Sequence, residues 1–208
     1  DLSPEAFGAL LDLHGGADDL QQATLRVLHD RSFQDDPTRL LRAARYETRL
    51  GLHMAPETEA AARRDAECLK QVSGDRVRHE LERIFDEAQP ELPLARADDL
   101  VLYQTLVSTL EWAPELSRAA QAIREAGHET TPLLYLALLS VPLAKGNSEA
   151  LVARLNAPAP WAEVIRDTHT LRVRLPSLAT EKILPSAVYA RLSGLTTESI
   201  LAWSALAP

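Results

Sequence analysis

Cysteine is almost absent from this chain: Cys68 stands alone among 208 residues. A single thiol excludes a disulfide framework and any cysteine-based zinc site, and on a predicted helix it reads as a small buried hydrophobe. Also missing is an apolar run near the roughly 20 residues that a membrane span needs. The longest such stretch, 133–141, is cut by Pro142. The first residues do not look like a signal peptide, so the expected setting is a reducing cytoplasm with no membrane contact. No repeat of fixed period is visible, which sets a solenoid aside. Positive charge is scarce too. With 22 Lys and Arg against 30 Asp and Glu, the net charge is -8, which argues against a general grip on nucleic acid by counterion release but leaves room for a local stripe. What remains, 46% hydrophobic and 25% charged residues, supplies a core for one elongated or two compact units.

Against this background one stretch stands out: Asp35-Asp36-Pro37-Thr38-Arg39-Leu40-Leu41-Arg42-Ala43-Ala44-Arg45. Asp36 suits an N-cap and Pro37 the first helical position, so the spacing predicts a helix from there to Leu50, stopped by Gly51. At about 100° per residue, Arg39, Arg42, Arg45 and Arg49 share one face with Tyr46, and Leu40, Leu41, Ala44 and Thr48 share the other. Two readings are open at this point. The charged face is either a solvated stripe with local salt bridges, for instance through Glu47, or a recognition surface. A carboxylate accepts hydrogen bonds and a guanidinium donates them, so Asp36 and Arg39 one turn apart match the donor and acceptor edge of a base. Arg42 and Arg45 then stand where phosphates would lie. For the scattered arginines elsewhere, among them Arg63, Arg64, Arg76 and Arg78, solubility is the favoured role.

Three blocks in this order resemble the class II tRNA nucleotidyltransferase and bacterial poly(A) polymerase family. The first is Leu11-Asp12-Leu13-His14-Gly15-Gly16-Ala17-Asp18-Asp19-Leu20, continued by Leu25-Arg26-Val27-Leu28 and Ser32-Phe33. The second is Asp35-Asp36-Pro37-Thr38-Arg39 with Arg42 and Arg45, and the third is Val72-Ser73-Gly74-Asp75-Arg76-Val77-Arg78-His79-Glu80-Leu81. The resemblance is clear over residues 10–85 and fades beyond. It implies that Asp12, Gly15, Gly16, Asp19, Leu20 and Arg26 form a hinge and brace below a catalytic domain. It implies further that Asp36 and Arg39 read the base of an incoming ATP or CTP, and that Arg42 and Arg45 also contact the nucleotide. Asp75 and Arg76, where the family usually carries Glu-Arg, would steady this helix from behind.

One departure limits the implied activity. Members of the family bind Mg²⁺ through an early Asp-x-Asp pair near a Gly-Ser element, and this chain has neither that motif nor the Arg-Arg-Asp block expected just upstream of Asp1. The expectation is therefore part of a longer enzyme using Mg²⁺ with ATP or CTP, with no metal ligands of its own. The 208 residues are expected to be inactive without a missing N-terminal catalytic domain.

The expected fold is all-α: an elongated multi-helix neck and body or tail, with a short remnant of a catalytic β-sheet domain at the N-terminus. Residues 1–28 would be the remnant and hinge, 29–89 the neck with nucleotide-recognition and RNA-binding helices, and 90–208 the helical body and tail. A turn at Ser3-Pro4 and the run 7–13 suggest a strand stub. Helices are expected at 20–29, 37–50, 56–70, 74–88, 97–110, 114–127, 132–143, 148–155, 161–175, 185–192 and 197–206. Ser73 should cap the fourth, 89–93 should form a boundary, and turns are expected at Gly127, Gly146-Asn147, 158–160 and Gly194. His128, His169, Trp112, Trp161 and Trp203 read as core or helix-end residues. Two function classes follow. The first is the nucleotide-selecting and RNA-holding part of a template-independent nucleotidyltransferase, acting on tRNA or another RNA 3′ end by CCA addition, partial addition or poly(A) synthesis. The second is a non-catalytic helical module derived from one that binds RNA or protein.

Overall fold

The structure, a computed structural model, describes residue 8 and residues 11–179 and 184–206. These residues are mainly helical: α1 Gly16–Gln21, α2 Ser32–Asp35, α3 Thr38–Arg49, α4 Pro56–Asp65, α5 Gly74–Phe85, α6 Glu91–Asp99, α7 Pro114–Glu125, α8 Pro132–Ser140, α9 Lys145–Arg154, α10 Ala159–Ala179, α11 Pro185–Leu192 and α12 Thr197–Leu206. Two-residue strands β1, Thr24–Leu25, and β2, His53–Met54, pair in parallel, with Thr24 opposite His53 and Leu25 opposite Met54.

Local chemistry explains most of these limits. α3 begins where Asp36 is extended and its side chain accepts the Thr38 N–H at 3.2 Å, and it stops before Gly51, whose φ of 63° is left-handed. α4 opens on Pro56 with Glu57 and Glu59 in its first turn and closes on Arg63 and Arg64, the polarity that a helix dipole favours. α8 is capped by Thr131, whose Oγ1 accepts from the Leu134 N–H at 3.2 Å. Every residue of α8 from Leu134 to Ser140 is buried.

A single hydrophobic cluster runs from Phe33 to Ala202. At one end α3 lies across α5 and α6; at the other, α8 is enclosed by α7, α10 and α12. The joint between the ends is tight at Gly74. A Cβ there would stand 2.4 Å from the Arg154 carbonyl oxygen, so only glycine lets the start of α5 approach the end of α9. Arg78 donates to the Asn156 carbonyl at 2.8 Å and Arg154 to that of Leu69 at 2.9 Å across the same joint.

Several expectations fail in informative ways. No helix spans 20–29: α1 ends at Gln21, Ala23 turns left-handed at φ 49°, and the chain enters β1. The helix expected over 97–110 is displaced to Glu91–Asp99, and a 3₁₀ turn, Tyr103–Thr105, follows. Pro90 and Pro93 read as a boundary, yet Pro90 is the cap and Pro93 sits in the first turn, where a missing N–H costs nothing. Gly146 and Asn147 are not a turn but the start of α9, and 159–160 already belong to α10. The helix expected over 56–70 is α-helical to Asp65 and 3₁₀ over Ala66–Gln71, with Cys68 only half-buried. Ser73 holds the cap position of α5 without a side-chain cap bond. The Ser3-Pro4 turn lies outside the described residues, as do 7, 9 and 10 of the run 7–13; its described members, 8 and 11–13, are not strand.

Candidate functional site

The first turn of α3 gathers the charged residues. Asp36 Oδ1 accepts from the Thr38 hydroxyl at 2.7 Å, from the Thr38 N–H, and from the Arg76 guanidinium at 2.9 Å. Partial burial works to raise this carboxyl's pKa, but the Thr38 bonds and Arg76 outweigh it and hold the group below its ordinary value, so it is ionised at neutral pH. Arg39 is exposed and donates to the Ser32 carbonyl at 3.3 Å, which aims it across the start of α2.

Beside Arg39 is an open cavity of about 290 Å³ between α3 and residues 25–28. Leu25, Val27, Leu28, Phe33, Ala43 and Tyr46 make its walls apolar, while Arg26, Arg39 and Arg42 bring charge to them. Asp36 does not line it and stands next to it at the head of the helix. Such a space, apolar with guanidiniums at its margin and the Asp36 carboxylate one turn before Arg39, suits a planar ring that carries polar edges and an anionic tail.

Further along the helix the arginines diverge. Arg42 approaches Glu80 at 3.7 Å and lies 5.6 Å from the Tyr46 ring centre. Arg45 is only 6% exposed; it donates to Glu87 at 3.1 Å and lies 4.6 Å over the same ring. The stripe is thus divided, with Arg39 and Arg42 at the cavity and Arg45 turned into the α3–α5 seam. Glu47 makes no pair within its own helix; it takes Arg96 at 2.6 Å and the Met54 N–H at 2.8 Å, tying α3 to α6 and β2.

The residues expected to form the hinge and brace have these surroundings. Asp12 accepts backbone N–H bonds from Ala17 at 2.8 Å, Gly16 at 3.0 Å and His14 at 3.2 Å, and these hold its carboxyl below the usual range. Gly15, left-handed at φ 71°, lets the chain fold back over that carboxylate. Arg26 takes both oxygens of Asp19 at 3.2 Å and also pairs with Glu57, which links α1 to α4 under the cavity. Leu20 is exposed. Asp75 accepts from Arg78 at 3.0 Å and Asn156 at 3.1 Å, and so belongs to the Gly74 joint, whereas Arg76 touches Asp36 directly.

Sequence reasoning missed the apolar walls and the carboxylates Glu80 and Glu87. Glu80 lies within α5 and Glu87 in the turn just after it, so no helical spacing joins the two and only the tertiary fold sets them against the arginines of α3. Among the described residues no three His, Cys, Asp or Glu side chains gather so as to hold a metal ion. The basic side chains outside α3 are mostly paired internally: Arg63 with Glu59, Arg64 with Asp30 and Asp65, Lys70 with Glu67. Trp112 and Trp161 are buried, and the Trp203 indole donates to the Thr168 carbonyl at 2.8 Å.

Residues 51–119 match a family described as the probable RNA- and SrmB-binding site of polymerase A. An A-adding tRNA nucleotidyltransferase of Geobacter sulfurreducens is 28% identical over 218 aligned positions, which cover 96% of this chain and 25% of that protein. A CCA-adding enzyme solved with ATP superposes with a TM-score of 0.79 at 28% identity, over 100% of this chain and 52% of that one. A Thermotoga maritima CCA-adding enzyme complexed with tRNA gives 0.79 at 26% identity, over 100% and 53%. The chain therefore spans about a quarter of the length of the curated relatives it matches and about half of these solved chains. In fold the chain is similar along its whole length to these CCA-adding enzymes, and over residues 51–119 to the RNA-binding family, which is the likeness to class II tRNA nucleotidyltransferases that the three ordered sequence blocks carry.

Proposed function

We propose that this chain is the nucleotide-selecting and RNA-holding part of a template-independent nucleotidyltransferase that adds C, A or both to tRNA 3′ ends. The observation that carries this reading is the cavity beside Asp36, Arg39 and Arg42. All three hydrogen bonds to Asp36 reach Oδ1, so Oδ2 is the acceptor offered to a ligand. Adenine and cytosine each present an exocyclic amine donor, while guanine and uracil present a carbonyl oxygen at the corresponding place. An ionised carboxylate, which only accepts, favours the first pair and repels the second. Arg39 supplies the complementary donor, and the apolar walls receive the face of the ring. Arg76 keeps the carboxylate charged and oriented. Asp12, Gly16, Asp19 and Arg26 fix the floor of the cavity beneath a polymerising domain, Asp75 secures α5 behind it, and Arg45 supports Arg42 through Tyr46. The Mg²⁺ that activates phosphoryl transfer is carried outside these residues, in a cytoplasmic enzyme.

The relatives' names support tRNA and nucleotide triphosphates as partners, and the poly(A) polymerase variant and the non-catalytic module are the competing readings. Binding of ATP, CTP, GTP and UTP to this chain, measured by calorimetry, separates them. ATP and CTP should bind more tightly than GTP and UTP, and Asp36→Ala or Arg39→Ala should remove about 1–3 kcal/mol of that preference. In an enzyme with the polymerising domain, single-nucleotide incorporation should lose the same discrimination, while the chain alone with Mg²⁺ adds nothing. A preference unchanged in both variants would leave α3 a solvated structural helix.

A further inference from the structure

We propose that the cleft between α3 and α5, around the helix from the cavity, is a separate phosphate site that holds the backbone of the RNA strand. The inference rests on the reading of the cavity as a nucleotide site and names the ligand next to it. Three guanidiniums line this cleft, Arg45 and Arg49 from α3 and Arg83 from α5, and Arg42 stands at its border with the cavity. They share two carboxylates through one oxygen each. Glu87 Oε1 serves Arg45 at 3.1 Å and Arg49 at 3.6 Å, and Glu80 Oε1 serves Arg83 at 2.5 Å and Arg42 at 3.7 Å. The one further carboxylate on the cleft is Asp86, exposed on its rim.

Positive charge thus exceeds negative here, in a chain whose net charge is -8. Burial makes the surplus expensive. Arg45 is 6% exposed, and its buried Nε–H has no hydrogen-bond partner. A guanidinium taken out of water with one shared oxygen as its acceptor is underpaired, and an oxyanion is the group that completes it. Arg49 and Arg83, with side chains 55% and 53% exposed, open the cleft to solvent and can close on such a ligand. The open volume of about 470 Å³ between them admits a phosphate and its sugars.

Placement decides the source of the phosphate. At about 100° per residue, Arg45 and Arg49 lie on the flank of α3 that faces α5, and Arg42 stands between that flank and the cavity. A base seated in the cavity has its own triphosphate close to Arg42. The cleft, a further step around the helix, fits a phosphodiester of the strand being extended.

The test measures the binding of a labelled single-stranded RNA ending in CC, and separately of ATP, to the 208-residue chain at several salt concentrations. Arg49→Ala/Arg83→Ala should weaken RNA binding about tenfold and lower the salt slope by ~0.7, the worth of one lost phosphate contact on a single strand. ATP binding should stay within twofold. Lys70→Ala/Arg166→Ala removes the same charge from exposed sites elsewhere and should leave both unchanged, and Asp86→Asn should tighten RNA binding. RNA affinity unchanged in the cleft variant, or reduced as much by the control pair, overturns the site. Equal loss of ATP and RNA overturns the RNA assignment and places the triphosphate there instead. If the wild-type chain binds RNA but no nucleotide, the cavity reading fails while the cleft is still tested by the same variants.

Discussion

Helices α3 and α8, 12 and 9 residues long, meet water very differently. α3 buries Leu40, Leu41 and Ala44 and turns Arg39, Arg42 and Arg49 outward. α8 has no outward face: Leu134, Leu136, Leu138 and Leu139 are all fully buried, and the Ser140 hydroxyl is spent on the Leu136 carbonyl at 2.7 Å. A helix apolar on every side is a pillar that other helices enclose, here α7, α10 and α12. Around it polar groups are few and paired among themselves, as in the Thr168–Ser199 contact at 3.0 Å. At α3 the polar groups outnumber their partners. The pillar region spends its chemistry on holding together, and the α3 region keeps some in reserve for a ligand.

The largest expected effect falls on the pillar. Leu138→Ala should cost about 2–5 kcal/mol in urea unfolding, the range for a truncated core leucine. Arg42→Ala, at the outer margin of α3, should cost less than about 1 kcal/mol. A loss at Arg42 comparable to that at Leu138 would erase the contrast, because the charged margin would then be structural. Next comes the joint between the two regions. Gly74→Ala drives a methyl into the Arg154 carbonyl and should cost about 1–3 kcal/mol. Gly146→Ala, inside α9 with nothing within 4 Å, should gain up to about 1 kcal/mol. Thermal melts of the pair check both, and equal midpoints would mean that the joint gives way at little cost.

Smallest is the pH effect at Asp36. Folding lowers this carboxyl's pKa, so its contribution is complete above the unfolded value near 4 and is lost as the pH falls through the lower folded value. Asp36→Asn keeps a cap acceptor but loses the charge facing Arg76. It should reduce stability at pH 7 by less than about 1 kcal/mol, with the gap from wild type closing below about pH 4. A gap that widened in acid would assign the Arg76 contact the wrong sign.

What was legible in the sequence was local. Asp36, Pro37 and Gly51 mark the limits of α3 because caps, fixed φ and left-handed stops act within a few residues. The all-helical class and the starts of α7, α8 and α11 at prolines follow for the same reason. Where distant partners decide, the reading failed. Residues 24–25 become strand because 53–54 lie beside them, and a Glu87 42 residues away takes Arg45 out of the open stripe. The cavity needs Leu25, Phe33, Ala43 and Thr58 from four separate segments, and no periodicity along one helix encodes that meeting. Gly146 and Pro93 misled because their usual role as breakers does not hold in a helix's first turn.

The two short strands have a consequence for the order in which this molecule assembles. The His53 N–H bonds to the Ala23 carbonyl at 2.8 Å and the Ala55 N–H to that of Leu25 at 3.0 Å. These bonds close a ring of chain that holds α2, α3 and most of the cavity wall within one short span of sequence. Closing a loop of that size costs little more entropy than closing one half as long, about 0.6 kcal/mol per doubling. The walls can therefore come together early, before the distant helices have condensed. Once closed, the ring opens only as a whole, so the amides of β2 and the inner turns of α3 will trade their hydrogens with solvent together.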